Sequence, residues 1–252
     1  MSIRACVIIP VYNHADGIGP TLDAVLPSGL PVLLVDDGSE PHCAEVLAQL
    51  AARHAEQVQL LTRPENGGKG AAMADGFRAA LAAGHSHALQ IDADGQHDAG
   101  DIPAFVKAAE AASEAVICGV PRYDDSVPRA RLYGRYVTHI WVWINTLSLQ
   151  IRDSMCGFRL YPLTATVAVI DEEHVGARMQ FDTEIIVRLF WRGVVVVNLP
   201  TAVRYPVDGV SHFAMWADNV RISAMHARLF FTMLWRLPRL LWRRWRPQAQ
   251  KS

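Results

Sequence analysis

Apolar and polar positions come in blocks along the first half of the chain, and the blocks read alternately as strands and helices. Ala5 to Val11 is an apolar run leading to Asn13, a residue suited to capping the short helix predicted over Gly17 to Leu26. Pro31 to Val35 reads as a second buried strand that closes on Asp36-Asp37-Gly38-Ser39, and Pro41 to His54 carries a helical pattern. Val58 to Thr62 is a third strand, followed by Asn66-Gly67-Gly68-Lys69-Gly70 and an alanine-rich helix from Ala71 to Ala83. Ala88 to Ile91, a helix over Ile102 to Ala112, and Ala115 to Val120 continue the alternation. Strands that alternate with helices predict an α/β domain with a mainly parallel central sheet and helices on both faces.

The second half is less regular. Arg131 to Ile151 is apolar and helix-like, Met155 to Tyr161 and Val194 to Leu199 read as strands, and Phe181 to Arg192 has Phe181, Ile185 and Leu189 at i, i+4 spacing. Near the C-terminus Ile222, Met225, Leu229, Met233 and Leu237 recur at helical spacing, and Pro238 is expected to bend or end that helix. Beyond it Trp242 and Trp245 interleave with Arg239, Arg243, Arg244 and Arg246, a pattern suited to a helix lying in a membrane interface.

Charge sharpens this division. The formal net charge is −1, yet every acidic residue of the 252 lies at or before Asp218, and the segment beyond is purely basic. An acidic body with a basic tail points to an anionic partner for the tail, here an anionic membrane surface. The expected organisation is a domain over residues 1–216 and a basic amphipathic tail over 217–252. The four cysteines are scattered with no Cys-x-x-Cys, which fits a reducing cytosol without disulfides. No signal peptide and no spanning helix are expected from the apolar runs. Arginines beside tryptophans also suit nucleic acid, but the body is acidic and no nucleic-acid-binding motif is present, so no nucleic-acid partner is expected.

Candidate chemistry concentrates at the predicted strand ends, where open α/β sheets bind ligands. Asn13, Asp36, Asp37 and Asp92 all fall there. In Asp92-Ala93-Asp94-Gly95-Gln96 two carboxylates one residue apart project to the same side of an extended segment. Their hard oxygens, with the Gln96 amide, suit Mg²⁺ or Mn²⁺. His97 follows and reads as a solvent-facing loop residue. Gly67, Gly68 and Gly70 allow close approach of the backbone to a ligand, and Lys69 supplies a cation for phosphate.

Pro10-Val11-Tyr12-Asn13, Asp36-Asp37-Gly38-Ser39, Asn66-Gly67-Gly68-Lys69-Gly70 and Asp92-Ala93-Asp94-Gly95-Gln96 occur in that order. Together they resemble a family 2 glycosyltransferase of GT-A fold, and within it the dolichol- or polyprenyl-phosphate mannosyl- and glucosyltransferase branch, over roughly residues 3 to 210. The resemblance implies that Pro10, Tyr12, Asn13, Asp36 and Asp37 hold the nucleotide of a UDP- or GDP-sugar donor. It implies that Asp92, Asp94 and Gln96 bind the divalent ion bridging its phosphates. Asp153-Ser154-Met155-Cys156-Gly157-Phe158-Arg159 and Phe181-Asp182-Thr183-Glu184 match further family segments. Arg122, Arg131 and Arg159 are the arginines expected to reach a donor or acceptor phosphate, with Arg204 a further candidate. Asp182 and Glu184 are candidate general bases, although Glu184 also stands at i, i+4 to Arg188.

The chain departs from that branch at Gly209-Val210-Ser211-His212, where the branch usually has lysine in place of His212. A hydroxyl acceptor thereby gains over a phosphate, with His212 as base or phosphate ligand. The expected activity is inverting transfer of a hexose to a lipid or lipid-linked acceptor, by a protein peripheral on the inner face of the cytoplasmic membrane. Two alternatives stand beside it. A haloacid-dehalogenase-like phosphatase shares Asp-x-Asp-Gly, but carries it on the first strand rather than after the fourth. A non-catalytic nucleotide-sugar-binding scaffold is the other.

Overall fold

The computed structural model describes residues 3–122, 129–203 and 215–245, with side chains for all but 129–133, 215 and 243–245. Seven strands form one sheet: β1 (Ala5–Val11), β2 (Val32–Asp36), β3 (Val58–Thr62), β4 (His87–Gln90), β5 (Val116–Arg122), β6 (Arg159–Pro162) and β7 (Val196–Ala202), in the order β3-β2-β1-β4-β6-β5-β7. The pairs β1–β2, β2–β3, β1–β4 and β5–β7 are parallel, while β6 runs antiparallel to both β4 and β5. The sheet is mainly parallel, as its strand–helix alternation predicts, and the fold is GT-A.

Both faces of the sheet are covered, which explains why β1 is apolar at consecutive positions. Val7, Ile9 and Val11 pack against α1 (Ala15–Val25), α2 (Pro41–Arg53) and α4 (Ile102–Ala111). Cys6 and Ile8 face the opposite core, shared by α3 (Lys69–Ala82), α6 (Leu163–Glu172), α7 (Phe181–Arg192) and α8 (Met215–Trp245). The remaining helix, α5 (Arg129–Thr146), packs against α7 and α8. All four cysteines are free and buried, and burial pushes the Cys6 thiol up to about 12 and the Cys118 thiol up to about 11. Such thiols pack as small apolar groups.

Three local expectations are corrected. Asn13 does not cap α1, which starts behind His14; Asn13 takes a left-handed backbone (φ 49°) that asparagine tolerates, and its side chain accepts the Glu40 amide at 2.7 Å. Leu163–Glu172 is a helix not foreseen, since Thr166, Val167, Val169 and Ile170 are β-branched and mask its period. Finally, α8 does not stop at Pro238. Leu237 packs on the core ahead of the proline and Leu240 is buried after it, so tertiary contacts hold both sides of the interruption.

Candidate active site

Register brings the polar strand ends to one edge. Val11 pairs with Asp36 and Asp36 with Thr62, so the segments after β1, β2 and β3 start level with one another. Asp92 follows β4, the strand on the other side of β1. Tyr12 is partly exposed at this edge, and the Asn13 amide donates to the Ser39 hydroxyl at 3.0 Å. Asp36 is buried and accepts the Ser39 amide at 2.9 Å, which closes the turn.

Asp37 is used up within the protein. Its carboxylate accepts the amides of Gly67 (3.0 Å) and Gly68 (2.7 Å), the Asn66 side chain (3.1 Å) and the Arg63 guanidinium. Arg63 is held in turn by Asp75 at 2.8 Å. The nucleoside-reading role expected of Asp37 is therefore corrected: the side chain builds the glycine-rich loop. The loop's glycines also meet protein first. A Cβ on Gly70 would lie 2.6 Å from the Gly176 carbonyl oxygen and 2.7 Å from the Phe181 Cβ, so glycine is needed where residues 176–181 cross the loop.

Lys69, at the start of α3, joins two distant acids. Its ammonium lies 2.7 Å from Asp92 Oδ1 and 2.7 Å from Asp182 Oδ2. Gln90 donates to the other Asp182 oxygen at 2.9 Å and accepts from the Tyr161 hydroxyl. Burial disfavours the charge on Lys69, but Asp182 and Asp92 outweigh it and hold the ammonium well above its ordinary value. For Asp92, burial works upward and the Lys69 charge prevails, keeping the carboxyl below the usual range.

Among the described residues Asp94 forms no ion pair, and Lys69 and His97 act on it only from a distance. Burial, then the negative charge of Asp92, push the Asp94 carboxyl above the usual carboxylate range, and Oδ1 accepts the Gln96 amide at 3.1 Å. Two carboxylates that repel, one partly compensated, form a donor set that a hard divalent cation would relieve. The Lys69 ammonium spans both Asp92 oxygens, at 2.7 Å from Oδ1 and 2.9 Å from Oδ2, and each oxygen keeps a further lone pair. Among the described residues no three His, Cys, Asp or Glu side chains gather as a metal site. Two carboxylates with an amide still suit an ion that takes its remaining ligands from a substrate's phosphates.

His97 is corrected from a solvent-facing residue. Its ring is buried and stacked on Phe158 at 5.5 Å, with Nε2 3.9 Å from Asp92 Oδ2, and its backbone bridges to Val203. Burial pushes it below its ordinary value against the pull of Asp92 and Asp94.

The remaining sites divide sharply. Pro10 lies within β1, and Arg122 is exposed at the end of β5. Arg159 is fully buried and donates to the Asp182 carbonyl, so it supports the floor and does not reach a phosphate. Glu184 is not a base facing the cleft. It is fully buried, accepts Arg188 through one oxygen, and through the other accepts the Gly176 amide (2.9 Å) and Arg228 (2.7 Å). The i, i+4 pairing with Arg188 is what the structure contains. The Arg131 side chain, Arg204 and His212 lie outside the described residues.

Three contributors escaped sequence reading. Gln90 is a glutamine inside a fully buried strand, two positions before Asp92 and so on the same side, a signal available in principle. Gly157 belongs to a segment that matches the family, but its role was not foreseen: a Cβ there would lie 2.5 Å from Asp92 Oδ2. Arg135 on α5 grips both oxygens of Asp153 at 2.6 and 2.7 Å, and Asp153 accepts the Met155 and Cys156 amides, fixing the loop that carries Gly157.

Comparison with known proteins gives the family. Residues 6–174 match the model of glycosyl transferase family 2. A dolichyl-phosphate beta-glucosyltransferase of Trichomonas vaginalis is 28% identical over 77% of this chain, which spans 61% of that relative's length. A polyprenol monophosphomannose synthase of Mycolicibacterium smegmatis is 28% identical over 86% of this chain and 83% of its own. A mannosyltransferase from Pyrobaculum calidifontis, solved with GDP-Man and Mn²⁺, superposes with a TM-score of 0.59 at 18% identity, covering 96% of this chain and 74% of that one. An Asp-x-Asp after the fourth strand, a lysine-bearing glycine loop beside it and a family match over two thirds of the residues lead to one assignment: this chain belongs to glycosyltransferase family 2.

Proposed function

We propose that this enzyme transfers a hexose, with inversion, from a UDP- or GDP-sugar to a membrane-associated acceptor, either a lipid hydroxyl or a polyprenyl phosphate. The observation that carries the reading is the convergence of Lys69, Asp92 and Asp182 at the carboxyl edge of the sheet, with Asp94, which forms no ion pair among the described residues, beside them. The named activities of the Trichomonas and Mycolicibacterium relatives support the acceptor class, and the GDP-Man and Mn²⁺ of the Pyrobaculum structure support donor and metal.

In this reading the nucleoside rests against the segments after β1 and β2, at Pro10, Tyr12, Asn13 and Asp36, with Arg122 at the rim. Asp92, Asp94 and Gln96 would hold Mg²⁺ or Mn²⁺, which when bound supplies Lewis acidity to the departing diphosphate. Lys69 is the nearest cation for that diphosphate. As it turns to the phosphate oxygens, Asp182 keeps only its bond from Gln90 and regains acceptor capacity on Oδ2. A hydroxyl acceptor then attacks the anomeric carbon from the face opposite the diphosphate; its proton passes to Asp182 as the C–O bond to the leaving group breaks. A phosphate acceptor needs no base. His212, Arg131 and Arg204 remain candidates for the acceptor side.

The protein is proposed to sit peripherally on the inner face of the cytoplasmic membrane, with 1–216 carrying the site and 217–252 associating with anionic lipid. That division is one of role, since the inner face of α8 belongs to the core. Incubating the protein with a panel of nucleotide-sugars, Mg²⁺ or Mn²⁺, and either a polyprenyl phosphate or a lipid alcohol tests the reading. It fails if no sugar is transferred or hydrolysed from any donor.

A further inference from the structure

The helix α8 is apolar on two sides. Its inward stripe, Met225, Leu229, Met233 and Leu240, is buried in the core. A second stripe runs along the outside at helical spacing: Trp216, Val220, Phe231, Leu234 with Trp235, and Leu241 with Trp242. Trp235 is 91% exposed, Trp216 84% and Phe231 65%, values far above those of ordinary surface tryptophans and phenylalanines on a folded chain. From Trp216 to Trp242 the stripe extends about 39 Å at 1.5 Å per residue.

A neighbouring helix widens it. The outer side of α5 shows Tyr136, Val137, Ile140, Trp141 and Ile144, all exposed. The two helices meet where Trp141 stacks on His226 at 6.1 Å and packs perpendicular to Phe230 at 6.3 Å, and Phe230 in turn meets Phe231 at 5.8 Å. The result is a broad aromatic face rather than scattered single residues, and faces of that kind mark interaction sites.

We infer that this α5–α8 face is a lipid-docking surface, seated in the interfacial layer of an anionic bilayer with both helices parallel to the membrane plane. The proposal rests on the membrane-borne acceptor proposed above, but places the contact upstream of Pro238 and on a second helix. Charge selects the occupant. Arg239 is exposed beside the stripe and Arg221 is exposed though paired with Asp218, the helix's one carboxylate, while Arg228 and Arg236 turn inward to Glu184 and Glu173; beyond Arg239 the sequence adds Arg243, Arg244, Arg246 and Lys251 with no carboxylate among them. Cations bordering a stripe of tryptophans match phosphate headgroups above an acyl layer. A second copy of the same face would instead set arginine against arginine. Among the described residues no helix is long and apolar enough to cross a membrane, so the helices lie on the bilayer instead of spanning it.

The test uses the full chain with vesicles of phosphatidylcholine and phosphatidylglycerol. Brominated lipids should quench the tryptophan fluorescence of the native protein, and Trp216→Phe with Trp235→Phe should remove much of that quenching while binding persists. Phe231→Glu with Trp235→Glu should weaken partitioning by about tenfold or more, since each change removes a large buried apolar contact; the far-ultraviolet dichroism should not change, because both side chains are outside the core. Unchanged partitioning of that double variant, or its loss of self-association in place of lipid binding, overturns the proposal. Vesicle binding by a protein that transfers no sugar would leave this surface standing and remove only the catalytic reading.

Discussion

Two pairs of carboxylates stand at strand ends on the same sheet edge, Asp36 with Asp37 and Asp92 with Asp94, and the protein uses them in opposite ways. Asp37 is saturated by Arg63, Asn66 and the Gly67 and Gly68 amides. Asp92 has Lys69 and, more distantly, His97, whereas Asp94, pressed by burial and by its neighbour's charge, forms no ion pair among the described residues. A satisfied carboxylate is architecture, whereas an unsatisfied one stores electrostatic work for a ligand to release. Sequence shows two similar acidic pairs, and only their partners separate the roles.

The strongest way to break this comparison is to remove Asp94. Asp94→Ala should lower sugar transfer by about 10³-fold, the scale seen when a preorganised electrostatic group is lost. Its melting temperature should hold or rise, because a repulsive buried charge has gone. Stripping divalent ions with a chelator should mimic that loss, and restoring Mg²⁺ or Mn²⁺ should reverse it for the native protein alone. A variant with near-native turnover would place the metal elsewhere.

Asp37→Ala should show the reverse profile. Loss of Asp37 leaves Arg63 to Asp75 alone and strips the Asn66 side chain and two loop amides of their acceptor, and should cost about 3 kcal/mol. For a chain of this size that corresponds to a fall in melting temperature of roughly 6–12 °C. Scanning calorimetry that found native stability together with lost nucleotide affinity would return Asp37 to the nucleoside.

Gly157→Ala sharpens the Asp92 side. The new methyl group meets Asp92 Oδ2 at 2.5 Å and must displace it, and displacement of a reacting-site group on that scale should reduce kcat by about tenfold or more. Donor titration by calorimetry with Mn²⁺ present should show weaker binding in parallel. The smallest effect belongs to Arg78→Ala. Its ion pairs to Asp75 and Asp171 are exposed, so urea unfolding should register less than about 1 kcal/mol.

The amount legible in the sequence follows from where information is local. Strand ends, α2 and α7 were readable because periodicity and flanking turns lie within a few residues of each other; α7 runs over Phe181–Arg192 as its spacing predicts. Asp92 and Asp94 were legible as a pair for the same reason. The partner of Lys69, Asp182, lies 113 positions away, and the contact of Gly157 with Asp92 depends on how a loop after α5 is folded back, neither of which a local pattern encodes. The case of α8 is different again. Its apolar residues were visible, but two stripes on one helix look like a single broad one until packing decides which is inside.

Glu184 ties distant parts of the molecule into one thermal unit. One of its oxygens receives both the Gly176 amide and Arg228 of α8, while the Gly176 carbonyl rests against Gly70, next to Lys69. Opening of α8 would take Arg228 from that oxygen and leave the buried Glu184 carboxylate to Arg188 and the Gly176 amide, loosening the covering of the glycine loop. Hydrogen exchange at Gly176 should therefore quicken when α8 is destabilised, as in Arg228→Ala. The helix is a structural member of the catalytic body, and tags or fusions belong beyond Trp245.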